Sequence, residues 1–489
     1  MKDPAHPDFP QWLPWLSPLG PRSVRAHMTA LRQATLAQIE ERLSRFLPGC
    51  ALAQNSQGDH SRERIFTLHR TFWCFLWQML QANTTLREVV RQVQALFKLR
   101  TARSVDQATG GYSQARCKLP LRLLNQTLGA SARAAAQLAP KLALLGGHPL
   151  KAIDGSTCRL ADTPANQKVF PQQQNQPSGC GFPIMRVVVL FCAQSGAILA
   201  RRVGALCRSE LKLFYELLEQ INRGDILIGD RHFGNFTILA LLLARGVDFI
   251  GRVPAASRRV DFRKGQRLGK HDAIFVWPKA PTIGRWLPAR VRQALPAEIR
   301  VRVLRIRVRQ KGFRPRSLTL VTTLLDPKAF PADEIAKAYL RRWRLEMCFD
   351  DLKTTLQLGH LKCLSPLMAN KELLAGLVAH NLVRCLMAQS ARDYHLPLDR
   401  ISFKGSLDGW RQFSCALAQV RSHTKRQQLW NLLLQTLASD LVLQRPNRIE
   451  PRAVKLISKY PKLTHPRALQ RDRLSRNVRK TLAKRAHAN

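Results

Sequence analysis

The chain has 489 residues, of which 45% are hydrophobic, so it is long enough to form roughly two to four domains with buried cores. Its 79 lysines and arginines outnumber its 32 aspartates and glutamates, which gives a formal net charge of +47. This composition excludes a short disordered basic peptide and indicates a polyanionic partner, with nucleic acid as the first candidate.

The sequence shows no membrane-spanning segment and no secretion signal. Its most apolar stretches, residues 187–192 and 238–244, are far shorter than the roughly 20 residues that cross a bilayer. The N-terminus lacks the charged region and apolar run of a signal peptide. The 11 cysteines contain no Cys-x-x-Cys pair, so we expect a reduced cytoplasmic protein without a disulfide framework or structural zinc.

The first 145 residues are predicted to be helical. Apolar side chains recur at helical spacing in residues 27–46 and 66–97, with arginines on the other faces. A further helix is predicted to carry Tyr112 and Arg116. This N-terminal region is therefore expected to be a helical domain, and its helices are the best candidates for reading DNA.

From about residue 150 the pattern changes to strands. A short apolar run ends at Asp154, and a second short run ends at Asp230. Two further buried strands are predicted between them, at residues 186–192 and 197–206. Paired strands followed by a strand–helix–strand alternation predict an α/β fold, with a mixed sheet covered by helices.

Residues 256–315 have a different character, because they are rich in Arg, Lys, Pro and Gly. Apolar residues and arginines alternate over residues 301–308, which predicts a half-exposed strand whose wet face is cationic. A strand at 317–325 and one long helix at 332–358 are predicted to follow. More helices and a basic tail, which starts at residue 445, complete the chain.

The predicted helix at 332–358 carries an acid between cations. Four residues fall at relative positions 0, 3, 7 and 14 along it: Tyr339, Arg342, Glu346 and Lys353. This spacing keeps them on about one face of a helix. Taken alone, an acid four residues after an arginine is more often part of a solvated helix face than of a functional site.

The spacing Tyr-x2-Arg-x3-Glu-x6-Lys matches the signature of the insertion-sequence-four family of bacterial DDE transposases. The Ile-Asp-Gly-Ser-Thr segment at 153–157 resembles the first aspartate segment of that family, and Gly-Asp-Arg-His-Phe at 229–233 resembles the second. The separation of 116 positions between Asp230 and Glu346 also agrees, because a β-rich insertion occupies this gap in the family.

Three other segments extend the resemblance over most of the chain. They are the Tyr-Ser-Gln-Ala-Arg run at 112–116, the Asn-x-x-Arg helix at 381–384 and the Glu-Pro-Arg-Ala-Val-Lys run at 450–455. The resemblance implies a retroviral-integrase-like (RNase H-like) catalytic core with a β-rich insertion, flanked by helical regions. It implies five parts: a DNA-binding domain at 1–145, a catalytic domain at 146–255 and 316–390, the insertion at 256–315, and a helical C-terminal region with the basic tail at 391–489.

The family cleaves the ends of an insertion sequence and joins them to target DNA. The resemblance implies that two divalent ions, normally Mg²⁺ with Mn²⁺ as a possible substitute, are held by Asp154, Asp230 and Glu346. Two hard cations of this kind neutralise the attacking and leaving oxygens of an in-line phosphoryl transfer. Three signature residues are implied to contact DNA near the scissile phosphate: Tyr339, Arg342 and Lys353.

The implied partners are the terminal inverted repeats and the target, both double-stranded DNA. Two ends must be brought together, so a homodimer on DNA is expected, in association with the bacterial nucleoid. The sequence has no Gly-x-x-x-x-Gly-Lys-Ser/Thr loop, and transesterification conserves bond energy, so no nucleotide cofactor is expected.

Several alternatives remain open. Asp350, four residues after Glu346, is the most credible alternative third ligand. Trp277 or Trp286 could stack a flipped base, although a tryptophan in an insertion domain is more often a packing residue. His232 is expected to be structural or to support the site indirectly. The competing functions are a nucleic-acid-binding protein without catalysis, and a metal-dependent nuclease of the same fold that never transfers strands.

Overall fold

The computed structural model describes residues 43–47, 59, 65–101, 105–253, 260–279, 284–308, 316–420, 422–443 and 465–486. The predicted helix over residues 27–46 lies almost wholly outside these residues, as do the 450–455 run and the first part of the basic tail. The chain divides into two compact units. The first contains residues 1–45, 52–119 and 408–433, and the second contains residues 46–51, 120–407 and 434–489.

The first unit contains three complete helices among the described residues: α1 (Leu68–Leu80), α2 (Leu86–Thr101) and α3 (Gly110–Lys118). The continuous helical spacing over residues 66–97 therefore belongs to two helices rather than one. They are separated by a turn in which Ala82 and Asn83 adopt positive φ angles of 53° and 54°. Non-glycine residues seldom adopt this conformation, so the spacing alone could not reveal the turn.

A buried polar network lies among the helices of the first unit. Gln78 accepts hydrogen bonds from the Tyr112 hydroxyl at 3.0 Å and from Arg116 at 3.2 Å. The Arg116 guanidinium also lies over the rings of Phe75 and Tyr112, 5.0 and 5.1 Å from their centroids. Tyr112 and Arg116 of the Tyr-Ser-Gln-Ala-Arg run are therefore buried residues that stabilise the core of this unit.

The second unit is built on one ten-stranded mixed sheet of the described residues, in the order β3-β2-β1-β4-β5-β9-β8-β7-β6, with β10 paired to β1. Its strands are β1 (Leu150–Leu160), β2 (Ile184–Cys192), β3 (Ile198–Ala205), β4 (Ile226–Ile228), β5 (Asp248–Arg252), β6 (Gln266–Gly269), β7 (Asp272–Pro278), β8 (Glu298–Val308), β9 (Arg316–Thr322) and β10 (His360–Leu361). β1, β2 and β3 pair antiparallel, whereas β4 and β5 continue the sheet in parallel from β1. This arrangement confirms the predicted α/β, RNase H-like class of core.

The remaining helices among the described residues follow α3 in chain order. They are α4 (Leu121–Leu138), α5 (Pro164–Val169), α6 (Glu210–Tyr215), α7 (Phe236–Leu243), α8 (Ala289–Gln293), α9 (Ala332–Leu340), α10 (Arg342–Asp350) and α11 (Pro366–Asp393), followed by α12 (Phe403–Gln419), α13 (His423–Ser439) and α14 (Arg467–Ala486). Ile153 of β1 and Leu190 of β2 share one core cluster with the apolar side chains of α6 and α7. None of the described helices is both long and apolar enough to cross a membrane.

The single long helix predicted over residues 332–358 is in fact three helical segments. The Arg341 N–H bonds three residues back, to Ala338, so the chain tightens between α9 and α10. A π-helical segment then spans Asp351–Thr355, and the Leu356 N–H reaches five residues back to Asp351. Such π segments interrupt helices frequently at functional sites.

The region predicted as a β-rich insertion contributes β6, β7 and β8 to the same sheet, through the pairing of β8 with β9. The expected cationic wet face of β8 is only partly correct. Arg307 is exposed, but Arg302 is 1% exposed and binds both carboxylate oxygens of Asp272. Arg305 is half-buried, 5.2 Å from the ring centroid of Phe262. Contacts with other segments therefore override the alternation of the sequence.

Candidate active site

The strand register brings Asp154 and Asp230 to corresponding positions. β1 and β4 pair in parallel up to Ala152 and Ile228, and each aspartate follows two residues later. Asp230 lies beyond its strand, as predicted. Asp154 lies within β1, because β1 continues to Leu160 against β2 instead of ending at the acid. In adjacent parallel strands such positions face the same side, so the two carboxylates meet where the pairing of β1 with β4 stops.

Backbone N–H groups hold both aspartates. The Gly155 N–H donates to Asp154 Oδ1 at 2.8 Å, and the His232 N–H donates to Asp230 Oδ1 at 2.8 Å. The His232 ring packs edge-on against Phe233, with centroids 5.9 Å apart. These contacts fix the orientation of the carboxylates without covering all of their oxygen atoms.

Helix α10 lies on the same face of the sheet as Asp154. Phe349 of α10 packs edge-on against Phe191 of β2, with ring centroids 5.3 Å apart, and Phe191 is opposite Ala152 in the register. One turn before Phe349, the exposed carboxylate of Glu346 accepts a hydrogen bond from Arg342 at 2.8 Å. The helix thus places its acid beside the sheet edge that carries the aspartates.

Arg342 lies between these acids. Its Nη1 atom is 3.7 Å from Asp154 Oδ2, while its Nη2 atom binds Glu346. Its Nε atom is buried and has no hydrogen-bond partner in the part of the chain that the structure describes. The guanidinium therefore links two of the predicted metal ligands and still has an unused donor.

The surroundings of Asp154, which include the other two acids, shift its pKa. Burial, together with the charges of Asp230 and Glu346, raises the pKa of Asp154 to about 6, although the Gly155 N–H and Arg342 act in the opposite direction. Carboxylates that influence one another in this way belong to one electrostatic site. Residues with shifted pKa values of this type concentrate at functional sites.

The donor atoms of this site suit a hard divalent cation, because all are carboxylate oxygens. In the described residues, no group of three or more His, Cys, Asp or Glu side chains has the spacing of a formed metal centre. The positive charge among the acids is that of Arg342 instead. The desolvated Asp154 carboxylate and the acids around it nevertheless favour a cation at this position, so the residues fit the group that the sequence implies.

Tyr339 lies inside the site rather than on its rim. It is 4% exposed, and its hydroxyl has no hydrogen-bond partner of normal geometry among the described residues. Arg342 lies 6.0 Å from the centroid of its ring. Burial raises the pKa of Tyr339, whereas the adjacent Arg342 and the charge of Arg252 act in the opposite direction and the charge of Asp230 adds to the rise. Arg252, at the end of β5, is a cation near this site that the sequence did not single out.

Lys353 is exposed and lies in the π-helical segment. Its charge acts on Cys158 of β1, four residues beyond Asp154 on the same strand. Lys353 is thus brought near the strand that carries the first aspartate. Its contact with DNA, like those of Tyr339 and Arg342, stays a prediction.

The structure also shows the surroundings of the alternative site residues that the sequence left open. Asp350 accepts a hydrogen bond from Thr354 at 2.8 Å, and Glu346 rather than Asp350 bonds to Arg342. Trp286 packs against Tyr215 at 6.3 Å and against the sheet core. Trp277 instead lines an open cavity of about 330 Å³, together with Val260, Lys264 and Phe275 among others.

The turn between β2 and β3 supports α10 through residues that include Arg384 of the Asn-x-x-Arg run. The Arg384 Nε donates to the Ser195 carbonyl at 2.7 Å, and the Arg341 Nε reaches the Ala193 carbonyl at 3.4 Å. From α10, the Cys348 thiol lies 3.9 Å from the Gly196 carbonyl. Arg341 at the junction of α9 and α10, Cys348 of α10 and Arg384 of α11 therefore contact the same four-residue turn.

Asn381 fixes the start of β3. Its side chain accepts from the Ile198 N–H at 2.8 Å and donates to the Ile198 carbonyl at 2.9 Å. It also donates to the Leu128 carbonyl and to the Ser131 hydroxyl of α4, at 3.3 and 3.2 Å. This fully buried amide satisfies both backbone groups of a strand residue. The Asn-x-x-Arg pair thus positions the turn on which the Glu346 helix rests.

Comparison with known proteins shows what this chain is similar to. The profile of the family described as "Transposase DDE domain" matches residues 145–382, which include all six residues of the candidate site. The transposase InsG for insertion sequence element IS4 of Escherichia coli (strain K12) is 25% identical over 338 residues, which cover 68% of this chain and 72% of that protein. A solved structure of piggyBac transposase, in a synaptic complex with hairpin DNA, aligns over 84% of both chains with a TM-score of 0.39 and 11% identity. The resemblance seen in the sequence is thereby confirmed: residues 145–382 of this chain match the transposase DDE domain, and the chain is similar to the transposase of insertion sequence element IS4.

Proposed function

We propose that the protein binds the terminal inverted repeats of an insertion sequence, cleaves the element ends and joins them to target DNA. The observation that carries this proposal is the electrostatic coupling of Asp154 to Asp230 and Glu346, with Arg342 joining Asp154 to Glu346, within a transposase DDE domain. The three acids come from two strands and one helix that are far apart in sequence. A fold that gathers like charges at one edge accepts a cost in stability, which is typical of a functional site.

In this proposal Asp154, Asp230 and Glu346 hold two Mg²⁺ ions, which Mn²⁺ can replace. Such ions supply charge neutralisation at the scissile phosphate and lower the pKa of an attacking water or 3′-hydroxyl. The protein itself orients the acids, through the backbone N–H groups of Gly155 and His232.

The cationic residues of the signature act on the DNA. The two terminal nitrogens of Arg342 suit a forked contact with a phosphate, and its buried Nε provides a further donor. Lys353 is exposed and provides a point charge that tolerates several phosphate positions. The buried Tyr339 hydroxyl has a free donor on the same side, so it can bind a phosphate oxygen that enters the site.

The partner is double-stranded DNA, which the net charge of +47 favours. Two element ends have to be joined in one reaction, so we propose that a homodimer assembles on the DNA, in the bacterial cytoplasm and at the nucleoid. No nucleotide cofactor takes part, because the phosphodiester bond energy is conserved in strand transfer.

The test is strand cleavage and joining with full-length protein and a duplex that carries the ends flanking its gene, in Mg²⁺, in Mn²⁺ and in EDTA. We expect metal-dependent nicking at the element boundary. A pre-cut end with a free 3′-hydroxyl should then be joined to new DNA. Cleavage without joining would identify a nuclease, and tight binding without cleavage would identify a non-catalytic DNA-binding protein.

Glu346→Gln is the variant that tests the site. It should retain binding of the end duplex and lose cleavage, because the amide cannot replace a charged ligand. Asp350→Asn is the matched control, since it makes the same change four residues away on the same segment, and it should keep cleavage. The reverse result would assign the third ligand to Asp350 and refute our assignment.

A further inference from the structure

One exposed loop of the second unit carries a run of side-chain amides that the proposed chemistry does not use. The loop spans residues 171–179, with the sequence Pro-Gln-Gln-Gln-Asn-Gln-Pro-Ser-Gly, and lies between α5 and β2. Gln173, Gln174 and Asn175 are exposed, and their side-chain amides have no hydrogen-bond partner among the described residues. Three adjacent donor–acceptor groups are thus presented to solvent.

The backbone of this amide loop is held by other glutamines. The Gln172 amide donates to the carbonyls of Gln176 and Pro177 at 2.9 and 2.8 Å, and accepts from the Gly181 N–H at 2.9 Å. Gln167 of α5 accepts from the Gln172 N–H at 3.0 Å and donates to the Gly181 carbonyl at 3.1 Å. A loop braced in this way loses little conformational entropy when its exposed side chains bind a partner.

A basic helix begins at the foot of the amide loop. A Cβ atom placed on Gly179 would lie 3.1 Å from the side chain of Pro466, which directly precedes α14. Over residues 471–478 of α14 every side chain is exposed, so none of them is part of a core. This stretch contains three arginines, at positions 471, 473 and 476, and one acid, Asp472. Its charge therefore complements a polyanion.

We infer that the amide loop and α14 together form a surface that reads DNA sequence. This inference rests on the proposed function and extends it to the recognition of particular bases. A glutamine or asparagine amide matches the N6 donor and N7 acceptor that adenine presents in the major groove. Arginines on an exposed helix contact phosphates, which fixes the register of the duplex without reading it. The loop would therefore supply the base contacts, and α14 the affinity.

The position of the loop sets where on the DNA the reading occurs. The loop follows β1, whose end at Leu160 is six residues beyond Asp154, a distance of about 20 Å along a strand. Base pairs are spaced about 3.4 Å apart along B-DNA. A duplex that lies along β1 from the catalytic edge would place a base pair about six positions from the cleaved phosphate beneath the loop.

The test compares DNA binding by the full-length protein and by a triple variant with Gln173→Ala, Gln174→Ala and Asn175→Ala. The probes are the end duplex of the element, the same duplex with A·T pairs four to eight positions from the cut replaced by G·C, and a random duplex. We expect the triple variant to lose about 10-fold or more of the preference for the native end, and to bind the random duplex as the wild type does. Asn125→Ala with Gln126→Ala, which removes two exposed amides on α4, is the matched control and should keep the preference.

The arginines give a second, independent readout. Changing Arg471, Arg473 and Arg476 to Gln should lower the log–log salt slope of binding by about 3, with the sequence preference unchanged. A triple amide variant that keeps the full preference would overturn the inference, and so would an equal loss on native and random DNA. The same probe sequences placed in target DNA show whether the loop reads the target instead. In that case the triple amide variant would change the distribution of joining sites and would bind the element ends as the wild type does.

The failure of this inference differs from that of the proposed function. If the wild type cleaves its ends in Mg²⁺ and the triple amide variant prefers them equally, only the reading surface is wrong. If the wild type neither prefers nor cleaves these ends, the transposition proposal itself fails.

Discussion

Replacing Asp154 by Asn should stabilise the protein in the absence of metal. The pKa of Asp154 is raised from 3.8 to about 6, first by burial and then by the neighbouring acids. A difference of about two units corresponds to about 3 kcal/mol, by which the ionised carboxylate lowers the free energy of unfolding at pH 7. Asparagine has nearly the same shape, can still accept the Gly155 N–H and carries no charge, so it removes this cost.

The sign and the pH range follow from the direction of the shift. The folded protein holds the proton more tightly than the unfolded chain, so the cost is absent below about pH 4 and complete above about pH 6 to 7. At pH 5 about half of the destabilisation by the ionised carboxylate remains. Urea unfolding of wild type and Asp154→Asn in EDTA, at pH 5 and pH 7, should therefore show a gain for the variant that is larger at pH 7.

Asp333 offers a control of opposite sign. It is exposed, and its hydrogen bond to Lys337 lowers its pKa, so Asp333→Asn should not stabilise the protein at any pH in this range. Mg²⁺ should raise the stability of the wild type but not that of Asp154→Asn. Added Mg²⁺ should therefore reduce or reverse the stability advantage of the variant. An Asp154→Asn variant that is no more stable at pH 7, or that gains equally at both pH values, would refute the assembled acidic site.

Two further changes test the framework around the site. Asn381→Leu should destabilise the protein by about 4 kcal/mol, because it leaves the buried N–H and carbonyl of Ile198 without partners. Urea unfolding measures this loss of stability, with Asn125→Leu, the same change at an exposed position, as the control. Equal losses in the two variants would contradict the role of Asn381. Arg302→Met should cost about 3 to 5 kcal/mol because it leaves Asp272 unpaired, whereas Arg302→Met with Asp272→Leu should recover most of the loss. Thermal unfolding of the single and double variants decides this, and a double variant as unstable as the single one would refute it.

The sequence predicted the local parts of the site well. Helical spacing placed Tyr339, Arg342 and Glu346 on about one face, and the resemblance to the family signature singled out Glu346, which shares Arg342 with Asp154. The short apolar run before Asp230 likewise indicated a strand that ends just before its acid. Patterns of this kind are set by neighbours within a few residues, so they can be read from the sequence.

Contacts between distant segments could not be read in the same way. β1 continues beyond Asp154 because β2 pairs with it, and the buried guanidinium of Arg302 is paired with Asp272 of the neighbouring strand. The role of Arg342 in the site depends on Asp154, 188 positions earlier in the chain. The π-helical segment after α10 similarly left no periodic signal that distinguishes it from a continuous helix.

Stability and cation binding are opposing demands at this site, and the structure shows how they are reconciled. Burial of the Asp154 carboxylate, and to a smaller extent the charges of Asp230 and Glu346, raise the pKa of Asp154, and this shift reflects the cost of holding the ionised group in the site. Arg342 offsets part of that cost through its contacts with two of the acids. A cation that binds the acids more closely than the guanidinium does relieves more of this destabilisation. The relief adds to the binding free energy of that cation. For this reason the most destabilising carboxylate of the site should also be the one whose loss most weakens metal binding.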